Sequence, residues 1–271
     1  MEWALVLKAV IMGIVEGLTE FLPVSSTGHL IVAGRALGIP REIELAFEIF
    51  IQLGAILAVV VYFARDLWAL LGRAQHEPAA RALLINVALA FVPAALVGLV
   101  LDDVIEAYLF SPWTVALALI LGGVAMLWIE SRPHTPRVRH VESIATREAL
   151  GVGLAQLLSL IPGVSRAAAT ILGGLAMGMD RPTALRFSFY LSIPTLGAAS
   201  LYSLLRSLER IPAEWGIAFG VGFVVSFIVA LVVVKAFLAY VTRHTLKPFG
   251  WYRIIAGCIV LVLASIGWLH G

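Results

Sequence analysis

Long apolar stretches separated by short polar connections run through almost the whole chain. Six of them have the length of a membrane span: 44–64, 82–101, 107–129, 187–205, 215–234 and 252–269. A helix needs about 20 residues to cross a hydrocarbon core of about 30 Å. The pattern therefore predicts an all-α polytopic membrane protein with six transmembrane helices.

Two further apolar regions, 3–35 and 149–179, are interrupted near their middle. In the second, runs of 13 residues lie on either side of Pro162-Gly163-Val164-Ser165-Arg166, and each reaches only about 20 Å as a helix. In the first, the arm from Thr27 to Arg35 after Pro23 is shorter still. Neither pattern favours a simple crossing, so we predict two re-entrant helix-loop-helix hairpins.

The two interrupted regions resemble each other. Leu22-Pro23-Val24-Ser25-Ser26-Thr27 parallels Ile161-Pro162-Gly163-Val164-Ser165-Arg166, and a Phe-rich helix follows each, from Phe47 or Phe187. The pattern indicates a single membrane domain built from two repeats, approximately 1–130 and 148–271. Since each repeat has an odd number of crossings, the second is inverted, as in transporters whose binding site lies between repeats.

Positive charge is distributed unequally between the two predicted faces. The predicted loops 65–81, 130–148, 180–186 and 241–253 carry 12 Lys and Arg, against five on the other face. Positive residues favour the cytoplasm, so both termini and the mouth of the first hairpin are expected to face outward. The predicted outward loop 102–106 has no basic residue, which agrees with this orientation.

Composition supports the membrane interpretation. The chain has 271 residues, of which 61% are hydrophobic and 13% charged, whereas soluble domains have about 45–50% and about 25%. The net charge of +2 gives no sign of a nucleic-acid partner, and the single cysteine, Cys258, rules out a disulfide framework. Membrane lipids are the expected environment.

Two glutamates lie in the first hairpin, where ionisable groups are costly. A charge at a helix centre costs about 2.5–3.5 kcal/mol, so such groups usually face a partner or a cavity. Glu16 and Glu20 are four residues apart, which places both carboxylates on one helical face. They are candidate ligands of a divalent cation, Mg²⁺ or Ca²⁺, that bridges carboxylate and phosphate oxygens. A general base is the alternative.

A run of hydroxyl groups follows Pro23. Ser25, Ser26 and Thr27 precede Gly28 and His29 at the start of the next helix. Hydroxyls in this position ordinarily cap helices, but the neighbouring imidazole is able to activate a hydroxyl or to attack phosphorus itself. Backbone amides at the helix start also attract anions. Ser25 and Thr27 are therefore candidates for substrate binding, and Ser26 and His29 for catalysis.

Arg166 lies on the matching turn of the second hairpin, near Ser165 and Thr170. A guanidinium binds phosphate through two hydrogen bonds and stays charged at physiological pH. We predict that Arg166 binds substrate phosphate, with Ser165 and Thr170 as further substrate contacts. A buried ion pair with Glu16 or Glu20 is the structural alternative, and it is compatible with phosphate binding.

The segment from Glu16 to His29, together with Pro162-Gly163-Val164-Ser165-Arg166, closely resembles the bacterial undecaprenyl-diphosphate phosphatase family, which is also known for bacitracin resistance. The resemblance implies conversion of undecaprenyl diphosphate to undecaprenyl phosphate and inorganic phosphate, which recycles the lipid carrier of cell-wall precursors. It also implies six spans with two re-entrant hairpins, a bacterial inner (plasma) membrane location, an outward-facing site and a possible homodimer.

The resemblance also assigns roles to residues. Glu16 and Glu20 match metal-associated or acid/base glutamates, Ser26 and His29 a nucleophile and its partner, and Arg166 a phosphate-binding arginine. The chain departs from the family where Ser-Arg is commonly followed by Ser-Gly-Ala-Thr, since Ala167 and Ala168 precede Ala169 and Thr170 here. The departure removes a hydroxyl and a glycine but leaves the arginine.

These inferences combine into a mechanism in which Ser26 attacks the terminal phosphorus, with His29 as base or as acid for the leaving group. Attack by His29 or by water is the alternative. Arg166, loop amides and a glutamate-bound cation would neutralise the diphosphate. A polyprenyl-phosphate flippase or secondary transporter is the rival function, because inverted repeats with broken helices also serve alternating access.

Overall fold

The computed structural model describes residues 2–132, 135–207 and 215–269, and these residues are almost entirely helical. They form eleven α-helices and two short 3₁₀ helices. The α-helices are α1 (Glu2–Thr19), α2 (Ser26–Leu37), α3 (Arg41–Tyr62), α4 (Ala64–Arg73), α5 (Pro78–Leu109), α6 (Pro112–Ser131), α7 (Thr146–Gln156), α8 (Arg166–Ala176), α9 (Arg181–Ser207), α10 (Gly216–Val241) and α11 (Lys247–Ser265). The 3₁₀ helices are Val141–Ser143 and Leu157–Leu160.

Five helices are long and apolar enough to cross a membrane, so the chain is a multi-pass membrane protein. They contain the segments Ile43–Tyr62, Pro78–Leu101, Pro112–Ser131, Gly216–Val241 and Lys247–Ser265. The span predicted at 187–205 lies in α9, which has 27 residues but is less apolar. Its length of about 40 Å exceeds a hydrocarbon core.

Both interrupted regions fold into a helix, a tight turn and a second helix, as predicted. In the first hairpin α1 leads through a turn at 20–25 into α2. In the second, α7 and the 3₁₀ helix Leu157–Leu160 lead through 161–165 into α8. The returning helices have only 12 and 11 residues, so each is about 17 Å long, half of a bilayer core.

Several predicted boundaries are wrong. The outward loop expected at 102–106 is helical, because α5 continues to Leu109, and α6 begins at Pro112 rather than near 107. Ser111 caps α6 by accepting a hydrogen bond from the Thr114 amide, with proline in the first turn, and this is the local signal that starts the helix. The loop predicted at 65–81 contains α4.

The helices pack so that each half of the chain contacts the other. The incoming helix α1 packs on α10, and the corresponding helix α7 packs on α5, while α6 packs on α11. Close approach needs small residues: a Cβ at Gly17 in α1 would lie 2.8 Å from the Ser226 carbonyl oxygen in α10. Each incoming helix is thereby packed against a span of the opposite half.

An aromatic cluster lies beneath the hairpin turns. Phe21 follows Glu20 and packs edge-on against Phe189 of α9, with ring centroids 5.6 Å apart. Phe63, at the end of α3, contacts the rings of Phe189 and Tyr190. These rings belong to a hydrophobic core that also contains apolar residues of α8, so the first turn is packed into that core through Phe21.

Candidate active site

Both hairpin turns end in a serine with unusual backbone geometry. Ser25 and Ser165 each have φ of 72° and lie immediately before α2 and α8. Residues other than glycine rarely adopt positive φ, and the strain is typical of functional sites. The Ser165 hydroxyl accepts a hydrogen bond from the Ala168 amide, whereas the buried Ser25 hydroxyl has no hydrogen-bond partner in the described part of the chain.

The structure brings Glu20, Ser26 and Arg166 into direct contact. Ser26 Oγ donates a hydrogen bond to Glu20 Oε2 at 2.6 Å, and Arg166 Nη2 donates to Glu20 Oε1 at 3.1 Å. One carboxylate therefore links a hydroxyl of its own hairpin to the guanidinium of the other. The ion pair that the sequence offered as a role for Arg166 is present, and its partner is Glu20.

The Arg166–Glu20 pair is buried, so each of its charges depends on the other and on neighbouring polar groups for stabilisation. The side chains of Arg166 and Glu20 are 6% and 5% exposed. Arg166 also donates to the hydroxyl and the carbonyl of Ser188 on α9, each at 3.4 Å, and its guanidinium lies 5.5 Å from the centre of the Phe21 ring. Removing one member of such a pair leaves an uncompensated buried charge.

Thr170 is completely buried one turn after Arg166. Its hydroxyl bonds to Ser188 Oγ at 2.6 Å and to the Arg166 carbonyl at 2.9 Å. This network holds the start of α8 against α9. Sequence reasoning missed Ser188, although it follows Phe187, which had marked the Phe-rich helix of the second half. We name Glu20, Ser26, Arg166, Thr170 and Ser188 the Glu20 cluster.

Glu16 is buried next to the Glu20 cluster. Its side chain is 1% exposed, and neither carboxylate oxygen has a hydrogen-bond partner among the described residues. The charges of Glu20 and Arg166 both act on it. No group of three or more His, Cys, Asp or Glu suited to a metal ion occurs in the described part of the chain. A cation at Glu16 would therefore need ligands from substrate or water.

His29 lies on α2 but is not bonded to Ser26. Its Nδ1 contacts the Ser25 carbonyl oxygen at 2.7 Å, and its Nε2 contacts the Tyr252 hydroxyl of α11 at 2.5 Å. Because Ser26 instead donates to Glu20, the structure does not form the serine–imidazole pair of the predicted mechanism. Thr27 is half-buried on the first turn of α2.

Arg253 is a further residue that the sequence failed to identify. It was counted among the basic residues of the predicted loop 241–253, but it lies within α11 and is completely buried. Its guanidinium donates to the carbonyls of Pro23, Ala118 and Gly163. It therefore connects both hairpin turns to α6. The count of positive residues on that face falls to 11, which preserves the asymmetry.

The lack of a side chain at Gly163 allows the second turn to approach α6 closely. Its φ is +94°, and a Cβ at this position would lie 2.7 Å from the Val115 carbonyl oxygen of α6. The second turn thus lies directly against α6, and any side chain would push it away. Proline at 162 and glycine at 163 were visible in the sequence, but their contact with α6 was not.

A surface cavity lies away from these residues. It has a volume of about 380 Å³ and is lined by Arg139, His140, Val141, Glu142, Pro182, Thr183 and Arg186. Its arginine at 186 is paired with Asp66 on the surface. We place the candidate active site at the Glu20 cluster because that is where a hydroxyl, a carboxylate and a buried guanidinium converge.

Comparison with known proteins identifies the family of the chain. The model of the family described as bacitracin resistance protein BacA matches residues 9–259. A protein of Laribacter hongkongensis named undecaprenyl-diphosphatase is 46% identical over 270 residues, covering 100% of this chain and 99% of the relative. A protein of the same name from Cellvibrio japonicus is 46% identical, covering 98% of this chain and 98% of the relative. Another, from Ectopseudomonas mendocina, is 49% identical, covering 94% of this chain and 92% of the relative.

Proposed function

This chain belongs to the bacitracin resistance protein BacA family, and we propose that it hydrolyses undecaprenyl diphosphate, the activity for which its relatives are named, at the Glu20 cluster. The products are undecaprenyl phosphate and inorganic phosphate. The relatives match over nearly their full length, so the whole membrane domain is shared. A phosphatase is favoured over the flippase or transporter alternative.

The observation that carries the site proposal is the double contact of Glu20. One oxygen accepts the Ser26 hydroxyl, and the other accepts Arg166 from the opposite hairpin. A hydroxyl hydrogen-bonded to a carboxylate is the arrangement of a nucleophile and its general base. A guanidinium on the same carboxylate is already positioned to move onto a phosphate oxygen.

In the proposed reaction, Ser26 Oγ attacks the terminal phosphorus and Glu20 takes the hydroxyl proton. The new Oγ–P bond replaces the bond from phosphorus to the bridging oxygen, and undecaprenyl phosphate leaves with that oxygen. Water then hydrolyses the phosphoserine to inorganic phosphate, and the Ser26 hydroxyl is restored. Arg166 compensates the charge on the transferred phosphoryl group. Ser25, Thr27, Ser165 and Thr170 are proposed to support substrate binding.

This scheme gives Glu20 the role of base that the sequence had given to His29. His29 lies one helical turn from Ser26, on the same face of α2, so a phosphate bound to Ser26 would be within its reach. We propose that His29 accepts the proton of the water in the second step. Direct attack by water, or by His29, is the competing mechanism.

A divalent cation, Mg²⁺ or Ca²⁺, fits beside this cluster. Glu16 supplies two buried oxygens without a hydrogen-bond partner among the described residues, and Mg²⁺ is commonly held by one or two carboxylates together with substrate phosphates. Glu16 and Glu20 would hold the ion, and its chemistry would be neutralisation of phosphate charge. The protein steps remain those of Ser26, Glu20 and Arg166.

We propose the membrane arrangement that the sequence predicted. α9 would act as the sixth span, and the α1–α2 and α7–α8 hairpins would be re-entrant. The reciprocal packing of α1 on α10 and α7 on α5 supports an inverted repeat. The asymmetry of positive residues supports a site on the outer face of the bacterial inner membrane. The homodimer stays a proposal from family resemblance.

The experiment that tests the function is phosphate release from farnesyl diphosphate by detergent-purified protein, with and without a chelator. We expect release by the wild type, loss on chelation and recovery with Mg²⁺ or Ca²⁺. Transport of substrate without phosphate release would contradict the proposal. Full activity in the chelator would exclude a cation from the mechanism and leave the roles proposed for the protein residues unchanged.

Ser26→Ala decides the nucleophile. If Ser26 attacks phosphorus, the variant is inactive and a slowed variant such as His29→Gln accumulates phosphoserine at position 26, detectable by mass spectrometry. Turnover by Ser26→Ala close to the wild-type rate would assign the attack to water or His29. Ser143→Ala is a matched control, since that serine caps a turn distant from the cluster by bonding the His140 carbonyl.

Glu16→Gln tests the cation independently of the nucleophile. If Glu16 holds the ion, the variant needs a higher concentration of Mg²⁺ or Ca²⁺ for half-maximal activity. Its apo form should be at least as thermally stable as the wild type, because the substitution removes a buried carboxylate that no described residue hydrogen-bonds. An unchanged metal requirement would exclude Glu16 as a ligand.

A further inference from the structure

His29 and Tyr252 form a pair between the first hairpin and α11. The imidazole and phenol rings are almost parallel, with an interplanar angle of 5° and centroids 5.6 Å apart. The Tyr252 hydroxyl lies 2.5 Å from His29 Nε2. The ring orientation of His29 is therefore fixed by a helix from the other end of the chain.

The contact of the other ring nitrogen, Nδ1, shows which nitrogen of His29 carries the proton. Nδ1 lies 2.7 Å from the Ser25 carbonyl oxygen, and a carbonyl oxygen only accepts hydrogen bonds, so Nδ1 must be the protonated nitrogen. In neutral His29 the Nε2 atom then has a free lone pair, and the Tyr252 hydroxyl is the donor to it. Such a partner fixes which nitrogen carries the proton.

Both ends of this arrangement are held rigidly. The Ser25 carbonyl belongs to the strained turn in which Ser25 has φ of 72°. Tyr252 precedes Arg253, whose guanidinium is bonded to the Pro23 carbonyl of the same turn. α11 thus contacts the first hairpin at two adjacent residues, once through the turn and once through His29.

The pair is also accessible, in contrast to the buried Arg166–Glu20 pair. Tyr252 is 46% exposed, and His29 is half-buried. His29 and Ser26 lie one turn apart on α2, which places them on the same face. A water molecule or phosphate oxygen reaching Ser26 would therefore arrive beside His29.

We infer that Tyr252 is a positioning residue for the phosphatase reaction, whose hydroxyl keeps His29 Nε2 unprotonated and held on the face of α2 that carries Ser26. His29 takes a proton from the water that hydrolyses the phosphoserine when that water displaces the Tyr252 hydroxyl from the single Nε2 lone pair. This role rests on the proposed function, but the contact between Tyr252 and His29 is testable without any activity.

The kinetic experiment is a double-mutant cycle with Tyr252→Phe and His29→Gln, assayed by phosphate release from farnesyl diphosphate. Tyr252→Phe keeps the ring and removes only the hydroxyl. We expect it to lower kcat about three- to tenfold, the effect of one neutral hydrogen bond, with little change in KM. In the His29→Gln background the same substitution should have no further effect. Additive losses, or an unchanged kcat, would overturn the inference.

The spectroscopic experiment is nitrogen NMR of protein labelled with ¹⁵N-histidine, with the His29 signals identified by their absence from His29→Gln. We expect a protonated Nδ1 and an unprotonated Nε2 in the wild type, and a displaced Nε2 signal in Tyr252→Phe. Tyr252 as a mere packing residue would leave the Nε2 signal unchanged, and that result would also overturn the inference.

Tyr240→Phe is the matched control. Tyr240 stacks on His244 with ring centroids 4.6 Å apart, and its hydroxyl bonds the Thr245 carbonyl. This substitution should leave kcat and the His29 signals as in the wild type. If the wild type itself releases no phosphate, the proposed function fails, and the NMR result still decides whether Tyr252 controls His29.

Discussion

The two hairpins have similar backbone geometry but differ in the functional groups that they carry and in how deeply their second helices are buried. Each turn ends in a serine at φ of 72°, followed directly by a short helix. The first hairpin carries the carboxylate, the hydroxyl and the imidazole. In its helix α2 the buried residues are Gly28, Leu30 and Gly34. The second carries the guanidinium on α8, where nearly every residue is buried.

The difference indicates a division of labour between the hairpins. In the proposed mechanism, the groups that meet substrate and water lie on the accessible helix. The guanidinium proposed to compensate phosphate charge lies in a low-dielectric environment, where electrostatic interactions are stronger. The alanines at 167 and 168 suit this burial. Both side chains face packed protein, being 1% and 2% exposed, so small apolar residues fit there.

Alignment on the two strained serines changes the correspondence between the hairpins. The sequence comparison had matched Thr27 with Arg166. When Ser25 is aligned with Ser165, Arg166 corresponds to Ser26 instead, since each is the first residue of its helix. The candidate nucleophile and the candidate phosphate-binding cation thus occupy equivalent positions and meet at Glu20.

The largest effect is expected when the contact between the hairpins is broken. Glu20→Gln and Arg166→Met should each lower phosphate release by about 100-fold or more, because each removes transition-state charge stabilisation or the base. Each single variant should also lose about 3–5 kcal/mol of stability, since it leaves one unpaired buried charge. The double variant should unfold at a higher temperature than either single one.

Arg186→Met is the control for that cycle. Arg186 forms an ion pair with Asp66, but the two side chains are 44% and 47% exposed. Exposed pairs contribute about 0–1 kcal/mol, so its unfolding temperature and activity should stay near wild type. Equal stability losses in Arg166→Met and Arg186→Met would contradict the importance assigned to burial.

The next effect concerns the residue that connects the two turns. Arg253→Lys keeps a cation but loses the fork that reaches the carbonyls of Pro23, Ala118 and Gly163. We expect about 1–3 kcal/mol of destabilisation for each acceptor left unsatisfied. Activity should fall with it, because the turns would lose their fixed separation. Wild-type thermal stability and activity in Arg253→Lys would show that α6 and α11 hold the turns without it.

The smallest effect separates the two strained serines. Glycine accepts positive φ without strain, so Ser25→Gly should stabilise the protein by about 1 kcal/mol. Ser165→Gly also relieves strain but loses the cap to the Ala168 amide, which is worth about 1 kcal/mol, so its stability should stay near wild type. Thermal unfolding in detergent measures both. A larger gain in Ser165→Gly would contradict the difference in capping.

Much of this was predictable from sequence because its causes are local. Long apolar runs predicted five of the spans, short arms around Pro23 and Pro162 predicted the helix-turn-helix hairpins, and costly charges in apolar segments marked Glu16, Glu20 and Arg166. The errors arose where local signals compete. α5 continues through the acidic segment 102–106 because helical structure does not end where hydrophobicity does, and only the Ser111-Pro112 signal stops it.

The sequence by itself therefore determined the membrane class, the hairpins and the set of ionisable groups, because hydrophobic length and the cost of burying charge are properties of short segments. The tertiary structure alone decided their partners: Ser26 and Arg166 on Glu20, His29 on Tyr252, and Arg253 on both turns. These contacts join residues far apart in the chain, and the choice of partner depends on how helices pack. For the same reason a buried arginine in α11 looked like a loop cation until the helices around it were in place.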